Sequence, residues 1–121
     1  MDNEEYLVAV ASSDGIVVNN HFGRAKRFYI YKVNENDEIN LVDKREVRPV
    51  CDGGNHDDNK IFDNLEVISD CKYLLVSRIG DGARNMALSF GIESFEIPGL
   101  IIESIEQLIK YIKINALFQI S

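Results

Sequence analysis

The stretch Lys72-Tyr73-Leu74-Leu75-Val76-Ser77, followed by Gly80 to Phe90 and then by Ile92 to Ile97, decides the fold class. Tyr73 to Val76 is a short unbroken apolar run of the length a buried strand needs. The period then changes. Ala83, Met86, Ala87 and Phe90 recur at intervals of three and four, which predicts a helix with one apolar side, and Gly91 supplies its C-terminal stop. Strand, helix and strand in that order predict a parallel pair, because a helix crossing back over the sheet returns the chain to the end it started from.

Working toward the N-terminus, Ile61, Leu65 and Ile68 recur at four and three, so a helix capped by Asp57 or Asp58 is expected to run to about Ser69. Before it, Arg27 to Val33 is rich in aromatic and β-branched residues, and Asn34-Glu35-Asn36-Asp37 turns it into Glu38 to Val47. That is a hairpin pattern. Tyr6 to Ala11 reads as a buried first strand stopped by the turn chemistry of Ser12-Ser13-Asp14-Gly15, with a brief pairing segment at Ile16 to Val18. Toward the C-terminus, Pro98-Gly99 is expected to open a last helix whose Ile101, Ile105, Leu108, Ile109 and Ile112 form an apolar stripe. A hairpin followed by alternating strands and helices predicts an α/β domain whose mixed sheet is antiparallel at the start and parallel toward the end.

The 121 residues are 45% hydrophobic and 27% charged, with no repeat or Pro/Gly/Ser-rich linker, which fits a single domain over 1–121. The apolar runs are too short for a membrane span and the acidic start is unlike a signal peptide, so a cytoplasmic protein is expected. Two cysteines are too few for a disulfide scaffold and are read as thiols free to bind metal. A net charge of −7 argues against a nucleic-acid backbone as partner, since such binding depends on Lys and Arg displacing counterions. The charge is uneven, however. His21 to Val33 carries Arg24, Lys26, Arg27 and Lys32 and no acid, which is either a solvated surface or a seat for one compact anion.

Four soft or borderline ligands are present: His21, Cys51, His56 and Cys71. Their spacing lacks the two close pairs of a zinc finger. Cys71, just before an apolar strand, reads first as a small buried hydrophobe and second as a ligand. His21 sits in the loop Asn19-Asn20-His21-Phe22-Gly23, where its imidazole is expected to be reachable, Gly23 lets backbone approach a bulky ligand, and Arg24 can offset negative charge. A second loop, Cys51 to Asp58, joins a thiol, two glycines and an imidazole just ahead of a helix N-terminus, which favours anions.

Val8 to Gly15, His21-Phe22-Gly23-Arg24-Ala25 leading into Phe28 to Tyr31, Cys51-x-Gly53-Gly54-x-His56, Asp70-Cys71 and Arg78-Ile79-Gly80 together resemble the dinitrogenase iron-molybdenum cofactor biosynthesis family, the group of NifX, NafY and the NifB C-terminal domain. The resemblance spans residue 6 to the last helix. It implies a ribonuclease-H-like fold with a mixed sheet of about five strands, and a non-enzymatic carrier of the iron-molybdenum cofactor or its iron–sulfur precursor. Cofactor-assembly scaffold or nitrogenase proteins are the implied partners. His21 stands where the carrier members have the histidine implicated in holding the cluster; Cys51 and Cys71 follow as second candidates. The chain lacks the Cys-x3-Cys-x2-Cys segment of a radical-SAM domain, so it is not expected to build the cluster by itself.

Two other functions compete. A zinc or redox-sensing module would use Cys51, His56, Cys71 and His21, closed by four ligands. A ribonuclease-H-like nuclease would need converging carboxylates, for which Asp14, Asp52 and Asp70 are on offer.

Overall fold

A computed structural model of the chain describes residues 4–50 and 58–120. Five strands form one mixed sheet in the order β4-β3-β1-β5-β6: β1 Tyr6–Ala11, β3 Arg27–Val33, β4 Ile39–Glu46, β5 Tyr73–Val76 and β6 Glu93–Glu96. A two-stranded ribbon is made by β2 Val17–Val18 and β7 Gly99–Leu100, and the helices are α1 Asp58–Val67, α2 Asp81–Ser89 and α3 Ile101–Ile120. β1 pairs antiparallel with β3 (Tyr6 opposite Val33) and parallel with β5 (Val8 opposite Tyr73). The β3–β4 hairpin is antiparallel, with its register broken between Ile30 and Tyr31, and β5 and β6 are parallel. The expected mixed sheet, antiparallel on one side and parallel on the other, is therefore present.

One boundary differs. Pro98-Gly99 does not open the last helix, because Gly99–Leu100 first pairs with Val17–Val18, and Ile101 donates its N–H to the Ile16 carbonyl at 2.9 Å. A strand of two residues exists only through its partner, and the helix starts once that pairing is complete.

Strand alternation divides the core between two faces. Ala9, Ala11, Phe28, Ile30, Leu74 and Val76 face α1 and α2, where Ile61, Leu65, Ala83 and Ala87 meet them. Val8, Val10, Tyr31, Val33 and Leu75 face the opposite way onto Ile105, Leu108 and Ile109 of α3. Helices on both faces bury β5 and the last four residues of β1, which is why these strands read as continuous apolar runs rather than alternating ones. Three parallel strands, β1, β5 and β6, end at the same edge of the sheet. That edge is where loops converge to make a site.

Candidate functional site

After β1 the chain makes an excursion and then returns to the track it left. Ser12 Oγ accepts the Gly15 N–H at 2.9 Å, and the Asp14 carboxylate accepts the N–H of Ile16 at 2.8 Å and of Val17 at 3.2 Å. Those backbone donors, Ile16 first, hold the Asp14 carboxyl below the usual carboxylate range. Asn20 then donates its N–H to the Ala11 carbonyl at 3.3 Å, which brings the chain back to the end of β1.

From there it runs beside the extension of β5. The Ser77 N–H bonds the Asn20 carbonyl at 3.0 Å and the Phe22 N–H bonds the Arg78 carbonyl at 2.9 Å, a parallel bridge between His21 and Arg78. The backbone of His21 is thereby fixed at the carboxyl edge of the sheet, while its side chain is exposed. Phe22, 2% exposed, anchors the turn Phe22–Arg24 by stacking on Phe28.

Beside this turn lies a cavity of about 310 Å³. Its walls come from three places: Phe22 and Gly23, Val50 with Asp58 and Ile61, and the first turn of α2 from Gly80 to Ala83. The Val50 N–H is bonded to the Gly23 carbonyl at 2.8 Å, which ties the end of the β4 arm to the His21 turn. The α2 wall is polar in a specific way. Its first intrahelical bond is from the Arg84 N–H to the Gly80 carbonyl, so the amides of Asp81, Gly82 and Ala83 have no helical acceptor, and Gly80 at the N-cap offers no side chain to them. Gly80 has φ −76° and open space where a Cβ would stand, and Gly82 has the same open space, so packing does not demand glycine at either position. Amides without a helical acceptor and an open cradle suit an anion that approaches the backbone closely.

The basic cluster divides. Arg27 is engaged by Glu46 at 3.3 Å and by the Ser13 carbonyl, and Lys32 stands 4.0 Å from Glu5 at the other end of β1. Arg24 and Lys26 are exposed and have no ion-pair partner among the described residues. Arg48 and Arg78 share that state and stand on segments bonded to the same turn. The sequence pattern marks neither as a site residue, although Arg78-Ile79-Gly80 belongs to the set of segments that carries the family resemblance.

His21, Gly23 and Arg24 thus come together. Cys51 and His56 lie outside the described residues, but the residues that flank them, Val50 and Asp58, both line the cavity. Cys71 is not brought to His21. It precedes β5 whereas Arg78 follows it, seven residues or about 20 Å along an extended chain. It is 3% exposed within the core, and burial pushes its thiol up to about 12. The nuclease carboxylates do not converge either. Asp14 follows the end of β1 and Asp70 precedes the start of the parallel β5, at opposite edges, and Asp70 is held by Arg45 at 2.7 and 2.9 Å. Asp52 lies outside the described residues. Among the described residues no three His, Cys, Asp or Glu side chains gather as a metal site, and no helix is long and apolar enough to cross a membrane.

The chain is similar to known proteins over most of its length. The family described as dinitrogenase iron-molybdenum cofactor matches residues 4–111. The FeMo cofactor biosynthesis protein NifB of Frankia alni is 38% identical over 108 residues, 87% of this chain and 21% of that protein. Protein NifX of Klebsiella pneumoniae is 33% identical over 97 residues, 80% of this chain and 60% of that protein. The chain therefore spans about a fifth of the NifB relative's length. Among solved structures, the crystal structure of PH0822 has a TM-score of 0.61 at 25% identity, covering 86% of this chain and 90% of its own.

Proposed function

The chain belongs to the dinitrogenase iron-molybdenum cofactor family, and from that premise we propose that it is a non-enzymatic carrier of an iron–sulfur or iron-molybdenum–sulfur cluster. The observation that carries the reading is the junction at the carboxyl edge: an exposed imidazole on a backbone-locked turn, beside a cavity that is lined in part by the first turn of α2, whose amides have no helical acceptor. Each part has a task. His21 supplies one reversible metal ligand through a ring nitrogen. The amides of Asp81 to Ala83, together with Arg24, Lys26, Arg48 and Arg78, which have no ion-pair partner among the described residues, balance the negative charge of a sulfide-rich cage.

Gly23 lets the turn lie close to the cargo. Cys51 and His56 are proposed as further ligands, because the chain on both sides of them borders the cavity. Cys71 is proposed as a core residue, since a thiol with so high a pKa supplies little of the thiolate that metals bind. No nucleophile–base pair stands at the cavity among the described residues, so holding and release rather than turnover are the proposed activity. The ribonuclease-H-like description of the sheet, the cytoplasmic location, and scaffold or nitrogenase proteins as donors and acceptors of the cargo belong to the same reading.

The test is anaerobic reconstitution of the purified protein with iron, sulfide and molybdate, followed by metal counting and absorption spectroscopy. Sulfide-to-iron charge-transfer bands are expected, and His21→Ala should weaken cluster binding at least tenfold. Bound zinc at one equivalent with no cluster uptake would favour the sensing module instead. Unchanged cluster affinity in His21→Ala would remove that residue from the site.

A further inference from the structure

The last helix changes its apolar side partway along. Over its first three turns Ile101, Ile105, Leu108 and Ile109 are buried on the sheet. At about 100° per residue the same face would continue through positions 115, 116 and 119, but these are Asn115, Ala116 and Gln119. The apolar residues move instead to the outer flank. Tyr111, Ile114, Leu117 and Phe118 are 45%, 54%, 68% and 74% exposed. Tyr111, Ile114 and Phe118 follow the three–four spacing of a helix-pairing seam, and the Tyr111 ring lies against Phe95 at 5.1 Å, so the stripe begins at the sheet.

Charge says what can cover it. The protein carries −7, which sets copies against each other over most of their surface. No Asp or Glu follows Glu106, and the only charges from there to residue 121 are Lys110 and Lys113. Lys113 is paired with Asp37 of the β3–β4 turn. The last turn of α3 has no basic residue of its own to complement its carbonyls. In an antiparallel pair centred near Ile114, Lys110 of each copy stands beside that last turn of the other.

We propose that the C-terminal half of α3 is the interface of a weak two-fold homodimer, formed by antiparallel packing of the Tyr111-Ile114-Leu117-Phe118 stripe on its copy. The four side chains expose roughly 500 Å² per copy, about 1,000 Å² for the pair, at the threshold for a specific interface. Contacts of this size belong to weak, transient complexes, and a dissociation constant of about 1–100 μM is the value the experiment is set to detect. The dyad lies away from the carboxyl edge of the sheet, so the dimer leaves the cluster site open, and its test does not depend on the cargo.

Sedimentation equilibrium of the full chain over about 1–300 μM reads the result directly. Concentration-dependent dimer in the wild type is expected. Ile114→Glu and Leu117→Glu should each weaken it at least tenfold, with unchanged circular dichroism because both side chains are exposed. Ile102→Glu, on an exposed side chain near the start of the same helix, should dimerise like the wild type. A wild-type monomer at every concentration overturns the proposal, as does a dimer indifferent to both substitutions. Binding to anionic lipid vesicles in place of self-association overturns it as well, and assigns the stripe to a membrane surface.

Discussion

Replacing Gly80 with Asp should make the protein more stable and a worse carrier at once. Gly80 is the N-cap of α2, its φ of −76° and ψ of 163° suit any residue, and among the described residues none but its chain neighbours stands within 4 Å of the Cβ it would gain. An Asp carboxylate there can accept the amide N–H of Gly82 or Ala83. The cap adds a few tenths of a kcal/mol over glycine, the helix dipole about 0.3–1 kcal/mol, and the loss of glycine's freedom in the unfolded chain about 0.4–1 kcal/mol. A gain of about 1 kcal/mol should raise the melting temperature of a domain this size by about 3–5 °C. The same carboxylate blocks one anion-binding amide and adds a like charge at the cavity mouth. One unit of charge about 5 Å away costs about 3 kcal/mol at an effective dielectric of about 20, and salt at an open mouth removes part of that. Cluster affinity should therefore fall at least tenfold. Scanning calorimetry of the cluster-free protein and anaerobic titration followed by absorption measure the two effects separately, with Gly80→Ser as the uncharged cap that should stabilise the fold and lose less affinity. Opposite signs exclude misfolding as the explanation. A stabilised Gly80→Asp protein that binds cluster as tightly as wild type would refute the idea that the first turn of α2 holds the anion.

The Arg45 hydrogen bonds hold Asp70 below the usual carboxylate range. A depressed folded-state pKa contributes stability above the unfolded value of about 3.9 and loses it as pH falls through the folded value; Asp70→Asn should therefore lie below wild type in urea unfolding at pH 7 and converge with it below about pH 4. A constant gap down to pH 2 would show that the pair does not act through ionisation. Cys71, buried and with its thiol pushed up to about 12, should resist thiol reagents at pH 8 until the protein unfolds. Cys71→Ala should cost about 1 kcal/mol of stability and leave cluster affinity within twofold; a larger affinity loss would return Cys71 to the site.

What could be read from the sequence follows from the range of the interactions involved. β1, β5, α2 and the first half of α3 announce themselves because burial on both faces, or on one helical side, writes a pattern into consecutive residues. His21 stood out because turn residues surround it. Features created by pairing distant segments left no local trace. Gly99–Leu100 is a strand only against Val17–Val18. Arg27 and Lys32 look equivalent to Arg24 and Lys26 in a run of basic residues, but strand register sends the first two to Glu46 and Glu5. Arg78 and Gly80 reach the His21 turn only because β5 runs parallel to β1 and ends at the same edge.

That register also explains how an acidic protein can hold an anion. At the carboxyl edge some cations are already engaged: Arg27 by Glu46, and Arg84 by Glu96 at 3.6 Å, whose carboxylate also accepts the Ile79 N–H at 2.9 Å. Those contacts fix the loops that frame the cavity and leave nothing over for a cargo. Arg24, Lys26, Arg48 and Arg78 have no such partner among the described residues, and all four stand on backbone bonded directly to the His21 turn or to its continuation. An exposed cation without a partner costs the fold nothing, because water solvates it fully. Its attraction for an anion grows when that anion displaces water from the cavity. Asp58 and Asp81 line the same cavity, so the four cations have those two carboxylates to offset as well as the cargo to attract. Uncapped amides supply short-range contact, the four cations supply the approach, and the imidazole supplies the one bond that can be made and broken during transfer.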